Sequence, residues 1–126
     1  MSDSPAVLAL KAKLAQPHFN DGSYWAKDWR KRIHKQIRNQ RLKEARERGT
    51  HTVDEWAAIV AEFGSRCVVC GCEPVGGPCK DHILPIHMGG SDAADNLQPV
   101  CRECNTAKRA DSTNWAAYRR VHGFED

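Results

Sequence analysis

Two C-x-x-C pairs, Cys67/Cys70 and Cys101/Cys104, constrain this chain more than any other feature of its 126 residues. Thiolates at this spacing, in two knuckles far apart in sequence, match the ligand set of a tetrahedral zinc site. Four thiolates leave no coordination position for water, so such a zinc builds structure and does no chemistry. The gap between the knuckles is long enough for a hairpin. Knuckle, hairpin and a second knuckle opening a helix make a treble-clef arrangement. The predicted class is therefore α+β, a zinc-stabilised treble-clef-like core with a mainly helical N-terminal extension. A domain of this size buries only a modest core, and a structural zinc adds on the order of 10 kcal/mol of apparent folding energy. Of the six cysteines, Cys72 and Cys79 read as ordinary reduced thiols, with Cys72 the alternative to Cys70 as a ligand. The N-terminus carries an acid early and lacks a basic n-region, and no run is long enough for a membrane span. The expected setting is a reducing cytoplasm, with no membrane partner.

Charge is unevenly placed. Lys27 to Arg48 holds ten Lys/Arg against three Asp/Glu, whereas the whole chain is only +3. That asymmetry points to a polyanion, and Arg30, Lys31, Lys35 and Arg38 are candidate nucleic-acid contacts. The plain alternative is a solvated basic face. No helix-turn-helix or C2H2 pattern supports sequence-specific base readout.

Local signals divide the chain into elements. Ser4-Pro5 starts a helix that Pro17 stops. A long helix is predicted from Tyr24 to Arg48, with Gly49 as terminator. Its stripe of Trp25, Trp29, Ile33 and Ile37 either docks on the zinc core or packs on a neighbouring helix. Thr52 and Glu55 form a capping box ahead of Trp56, Ile59, Val60 and Phe63 on one helical face. Short strands are predicted at Lys80–Leu84 and Leu97–Val100, and helix from Cys101 to Ala110. Asn114 caps a last helix with Trp115, Tyr118 and Val121 on one face. The expected division is a basic helical extension over residues 1–50 and a zinc domain over 51–126, its core at 67–109.

Between the knuckles lies Asp81-His82. Phosphodiester hydrolysis needs a base to activate water and a cation to stabilise charge on the phosphate. His82 suits the first role, since its ordinary pKa lies near neutrality. The oxygen ligand Asp81 suits Mg²⁺ or Mn²⁺. Asn105, one residue past the last knuckle cysteine, is placed to be a second ligand.

The ordered set C-x2-C, DHI-x-P, GG, N-L-Q-x-V-C-x2-C-N-x2-K over Cys67–Lys108 resembles the HNH endonuclease family in its four-cysteine zinc form. It is similar to small members encoded by phages and prophages. The resemblance implies a ββα-metal fold and metal-dependent DNA cleavage in a bacterial or phage-infected cell, with a phage packaging machinery or another protein as a further partner class. By position it implies His82 as general base, Asp81 and Asn105 as ligands of a divalent ion, and Asn96 bracing the hairpin loop and orienting His82. Lys108 and Arg109 would contact phosphate. The third position carries Asn where the family name has His, so phosphate oxygens and water would complete the ion's shell. The rival reading is a catalytically inactive, zinc-stabilised nucleic-acid-binding module.

Overall fold

The computed structural model describes residues 3–17, 21–108 and 111–124. Caps decide where its helices begin. Helix α1 (Pro5–Leu14) starts where the Ser4 hydroxyl accepts the Val7 amide at 3.2 Å. Helix α2 (Tyr24–Arg48) starts where Ser23 does the same for Ala26 at 3.0 Å, and it ends at Gly49. Helix α3 (Val53–Glu62) carries the reciprocal capping box of Thr52 and Glu55. A two-stranded antiparallel sheet follows, β1 (Cys79–His82) against β2 (Leu97–Val100), with Asp81 opposite Gln98 and His82 opposite Leu97. Helix α4 (Arg102–Lys108) leaves the second knuckle, and α5 (Trp115–His122) starts at an Asn114 cap.

Two apolar cores form. In one, Ile33 and Ile37 of α2 close on Val7, Leu10 and Leu14 of α1. The other joins Ile59 and Phe63 of α3, Cys67 and Val68 of the first knuckle, Leu97 and Val100 of β2, Cys101 and Ala116. The apolar stripe of α2 thus docks on α1 and not on the zinc core. With ten residues, α1 is about 15 Å long and covers only part of α2, leaving Trp25 53% exposed.

Strand β1 ends two residues before the predicted Leu84, because a side chain takes over as partner. The Ile83 amide still donates to the Asn96 carbonyl at 2.8 Å, but the Leu84 amide donates to Asn96 Oδ1 at 2.9 Å. Asn96 Nδ2 donates back to the carbonyls of Leu84 (3.0 Å) and Ser91 (2.8 Å). One amide side chain therefore closes the loop between the strands, satisfying backbone groups the sheet leaves free. The last helix also differs from expectation. Val121 is 78% exposed, whereas Ala116 and Arg119 are buried. The Arg119 guanidinium donates to the knuckle carbonyls of Val68 (2.8 Å) and Val69 (2.9 Å). A forked donor that satisfies buried carbonyls outweighs the apolar periodicity of this short helix.

The end of α2 enters the interstrand loop. The Asp92 amide donates to the Gly49 carbonyl at 2.9 Å and the Ala45 carbonyl at 3.3 Å, and Arg48 Nη2 donates to the Gly90 carbonyl at 2.8 Å. Gly90 itself has no room for a side chain: a Cβ there would lie 1.8 Å from the Leu84 carbonyl oxygen. Gly90→Ala should therefore open the loop and lower stability by about 3 kcal/mol or more, as overpacking against fixed backbone does. Thermal melts of the zinc-loaded protein check this; a change of under about 2 °C, less than 1 kcal/mol at this chain length, would contradict it.

Candidate metal centre and hydrolytic site

The sulfur atoms of Cys67, Cys70, Cys101 and Cys104 all lie within 4.8 Å of one another, with Cys70 and Cys101 at 3.8 Å. A tetrahedral zinc with Zn–S bonds of about 2.3 Å sets sulfurs about 3.8 Å apart, so the donor set fits in number, type and spacing. Among the described residues, this is the only group of three or more His, Cys, Asp or Glu side chains arranged to hold a metal. The first knuckle is shaped by backbone bonds, Cys67 N to the Cys72 carbonyl and Gly71 N to the Cys67 carbonyl, both 2.8 Å. With protons alone, the cluster holds its negative charge poorly. Burial and then the neighbouring thiols push Cys104 far up, and burial raises Cys101 as well. Cys70 is lowered, to about 7, chiefly by the Cys72 amide. A divalent cation removes that repulsion and favours all four thiolates. Cys72, pushed up to about 12 by its hydrogen bond with Cys70, lies beside the cluster and outside the four-sulfur set.

On β1, Asp81 and His82 point to opposite faces, as strand geometry requires. The Asp81 side chain is buried against β2 and α4. Its Oδ2 accepts from Gln98 Nε2 at 2.8 Å and lies 3.3 Å from Lys108 Nζ. Gln98 is fixed in turn, accepting from the Ala116 amide at 3.0 Å and donating to the Thr113 carbonyl at 3.2 Å. The His82 ring faces the interstrand loop, with Nε2 2.8 Å from Asp92 Oδ1. An open depression at the end of the sheet is nevertheless lined by both residues, together with Lys80, Asn105 and His87. Asp81, His82 and Asn105 thus share one surface.

Asp92 is the site residue that sequence reasoning missed. It lies in a stretch that reads as a polar loop, yet its side chain is buried. Besides His82 it accepts from the Thr50 hydroxyl at 3.1 Å, while Arg46 Nε lies 3.7 Å and His51 Nδ1 3.4 Å from its Oδ2. Burial pushes its carboxyl up, but the hydrogen bonds from His82 and Thr50 and the charge of His51 outweigh this and hold it below its ordinary value. No spacing rule marks such a residue, because its partners come from the end of α2 and from β1.

Other expected contacts sit differently. Asn96 spends its side chain on the loop backbone, where it braces the loop between the strands, and the side chain hydrogen-bonded to the His82 ring is Asp92. Lys108 does not face outward. Its side chain is only 4% exposed, paired with Asp81 and hydrogen-bonded to the Asp111 carbonyl, since a buried carboxylate draws the nearest ammonium inward. Arg30 lies half-buried on the α1 side of α2, its Nη1 3.5 Å from the Leu14 carbonyl. Lys31, Lys35 and Arg38 are exposed. Arg109 lies outside the described residues.

Residues 67–111 match the family model described as HNH endonuclease. Neither curated proteins nor solved structures gave a match. The matched segment begins at the first zinc-type cysteine and contains the four-cysteine cluster, both strands and α4.

One zinc per chain is expected by elemental measurement of the purified protein, and Cys101→Ser should lose it. Because structural zinc supplies on the order of 10 kcal/mol, that variant should also lose its cooperative thermal transition. Retention of stoichiometric zinc would refute the ligand assignment.

Proposed function

We propose that this chain, whose residues 67–111 form a four-cysteine HNH endonuclease domain, hydrolyses phosphodiester bonds of DNA with His82 as general base. The observation that carries this reading is the held imidazole. With Nε2 on a carboxylate 2.8 Å away, the ring is left with Nδ1 as its free nitrogen, and His82 lines the same depression as Asp81 and Asn105. There His82 Nδ1 takes a proton from water. The water oxygen bonds to phosphorus, the bond from phosphorus to the 3′ oxygen breaks, and a solvent proton completes the leaving 3′-hydroxyl. The other product end is a 5′-phosphate.

Asp81 and Asn105 would hold a divalent ion, Mg²⁺ or Mn²⁺. Both Gln98 and Lys108 engage Asp81 Oδ2, which leaves Oδ1 for a hard cation, and one carboxylate plus one amide fits an ion that keeps most of its water. When bound, that ion supplies positive charge against the scissile phosphate and the leaving oxygen. Residues 51–126 would be the nuclease domain and 1–50 an extension that gathers DNA. On α2, Lys27, Lys31, Lys35 and Arg38 recur at i, i+4, i+8 and i+11, which places them along one side of a helix. Arg46 lies further along that side, 3.7 Å from Asp92. Such a row tracks a phosphate backbone without reading bases.

The pairing of Lys108 with Asp81 favours a second reading, an inactive DNA-binding module in which an ammonium neutralises the carboxylate. Supercoiled-plasmid cleavage with Mg²⁺ or Mn²⁺ separates the two. Wild type should nick or cut, and His82→Ala should be slower by about 100-fold or more, the usual worth of a general base. Tight binding with no cleavage under either ion would leave only the module. Replacing Lys31, Lys35 and Arg38 by Ala should weaken DNA binding and reduce its salt slope by about 3, one per phosphate contact. An unchanged slope would remove α2 from the interface.

A further inference from the structure

We infer that Asp92 is the positioning residue for His82, fixing both the ring's orientation and the nitrogen that carries its proton. This rests on His82 acting as the base proposed above. The geometry supplies the reason. Asp92 Oδ1 lies 2.8 Å from His82 Nε2, and a carboxylate can only accept there, so the proton sits on Nε2 and the lone pair on Nδ1. An imidazole on a short strand has two torsions and an exposed edge, so without this bond either nitrogen can face the cleft.

The carboxylate itself is held from several sides. Its own amide is tied to the Gly49 and Ala45 carbonyls at the end of α2. Its Oδ2 accepts from Thr50 Oγ1 at 3.1 Å and faces Arg46 and His51, while His51 Nδ1 also lies 2.7 Å from the Asp92 carbonyl. These groups make Asp92 a rigid acceptor, and they come from the end of the basic helix and the segment that joins it to α3. The base is thus aligned by the element proposed to gather DNA.

The surroundings of Oδ2 also dictate what an amide would do in this place. In Asp92→Asn, the Thr50 hydroxyl and the Arg46 guanidinium favour keeping oxygen on their side. The amide NH₂ then turns to His82 and donates to Nε2, which moves the ring proton to Nδ1 and removes the lone pair from the cleft. Size and packing stay nearly constant, so a purely structural role predicts little change. Swapping an acceptor for an amide behind a catalytic histidine can lower kcat by about 10⁴-fold through this tautomer change.

Two readouts test the inference on zinc-loaded full-length protein at one mildly alkaline pH. Imidazole ¹⁵N shifts should report the Nε2–H form of His82 in wild type and the Nδ1–H form in Asp92→Asn. Plasmid cleavage by that variant should lose at least about 100-fold in kcat with KM for DNA within about threefold, a conservative bound on the loss seen for such swaps. An unchanged His82 tautomer overturns the inference, as does an unchanged kcat in an active enzyme. Asp92→Ala guards against a fortuitous amide orientation, since it should give a mixture of the two tautomers; a pure Nε2–H form there also refutes the role of Asp92. If wild type proves inactive on DNA, the endonuclease reading fails while the nitrogen shifts still decide what Asp92 does.

Discussion

Four sulfur atoms crowded within 4.8 Å repel one another as thiolates unless a cation lies among them. Each knuckle alone is a short turn with little apolar surface. Joined, they fasten the end of α3, both strands and the start of α4 to one point, and the core of Ile59, Phe63, Val68, Leu97 and Val100 packs around it. The two short strands do not hold themselves, since an isolated hairpin in water is marginal at best. Metal ligation below, Asn96 above and Arg119 behind the first knuckle supply what the ladder lacks. The zinc therefore sets where the sheet lies, and the sheet sets where Asp81 and His82 point.

Above that frame the site is asymmetric. Asp81 turns toward the helices and meets groups from β2 and α4; His82 turns toward the loop and meets a group tied to α2. Neighbours in sequence thus depend on different parts of the chain. The Asp81 side has a buried amide and a buried ammonium around one oxygen. On the His82 side, a buried carboxylate is kept ionised by donors on both of its oxygens. Both halves rely on satisfied polar networks, which in a low-dielectric setting are costly to leave incomplete.

How much of this could be read in the sequence follows from where each determinant resides. Ser4, Ser23, Thr52 with Glu55, and Asn114 bond to amides three residues away, so the helix starts are local facts and were legible. The knuckles are local too, and the ordered motif between them identified the zinc core. The end of β1, the buried face of α5 and the inward turn of Lys108 were not legible, because each is settled by a partner distant in the chain: Asn96, the Val68 carbonyl and Asp81. Asp92 is the extreme case. Nothing around it distinguishes it from Asp95, yet one is buried against His82 and the other is exposed. Only the arrival of the α2 end separates them.

The bond from Arg119 to the Val68 carbonyl spans 51 residues, that from Thr50 to Asp92 spans 42, and the cysteine contact between knuckles spans 31. Such separations order events as the chain leaves the ribosome. The pair α1 and α2 needs only the first 48 residues and can close early, as local contacts do. The strand that carries Asp81 and His82 has no such option. His82 emerges well before Cys101 and Cys104, so its strand has neither partner nor clamp until the second knuckle is out and metal has been captured. Every nascent chain short of that point carries the basic helix without the zinc-type core. Vectorial synthesis thus makes the surface shared by Asp81, His82 and Asn105 the last part of this molecule to assemble, after its basic helix has already formed.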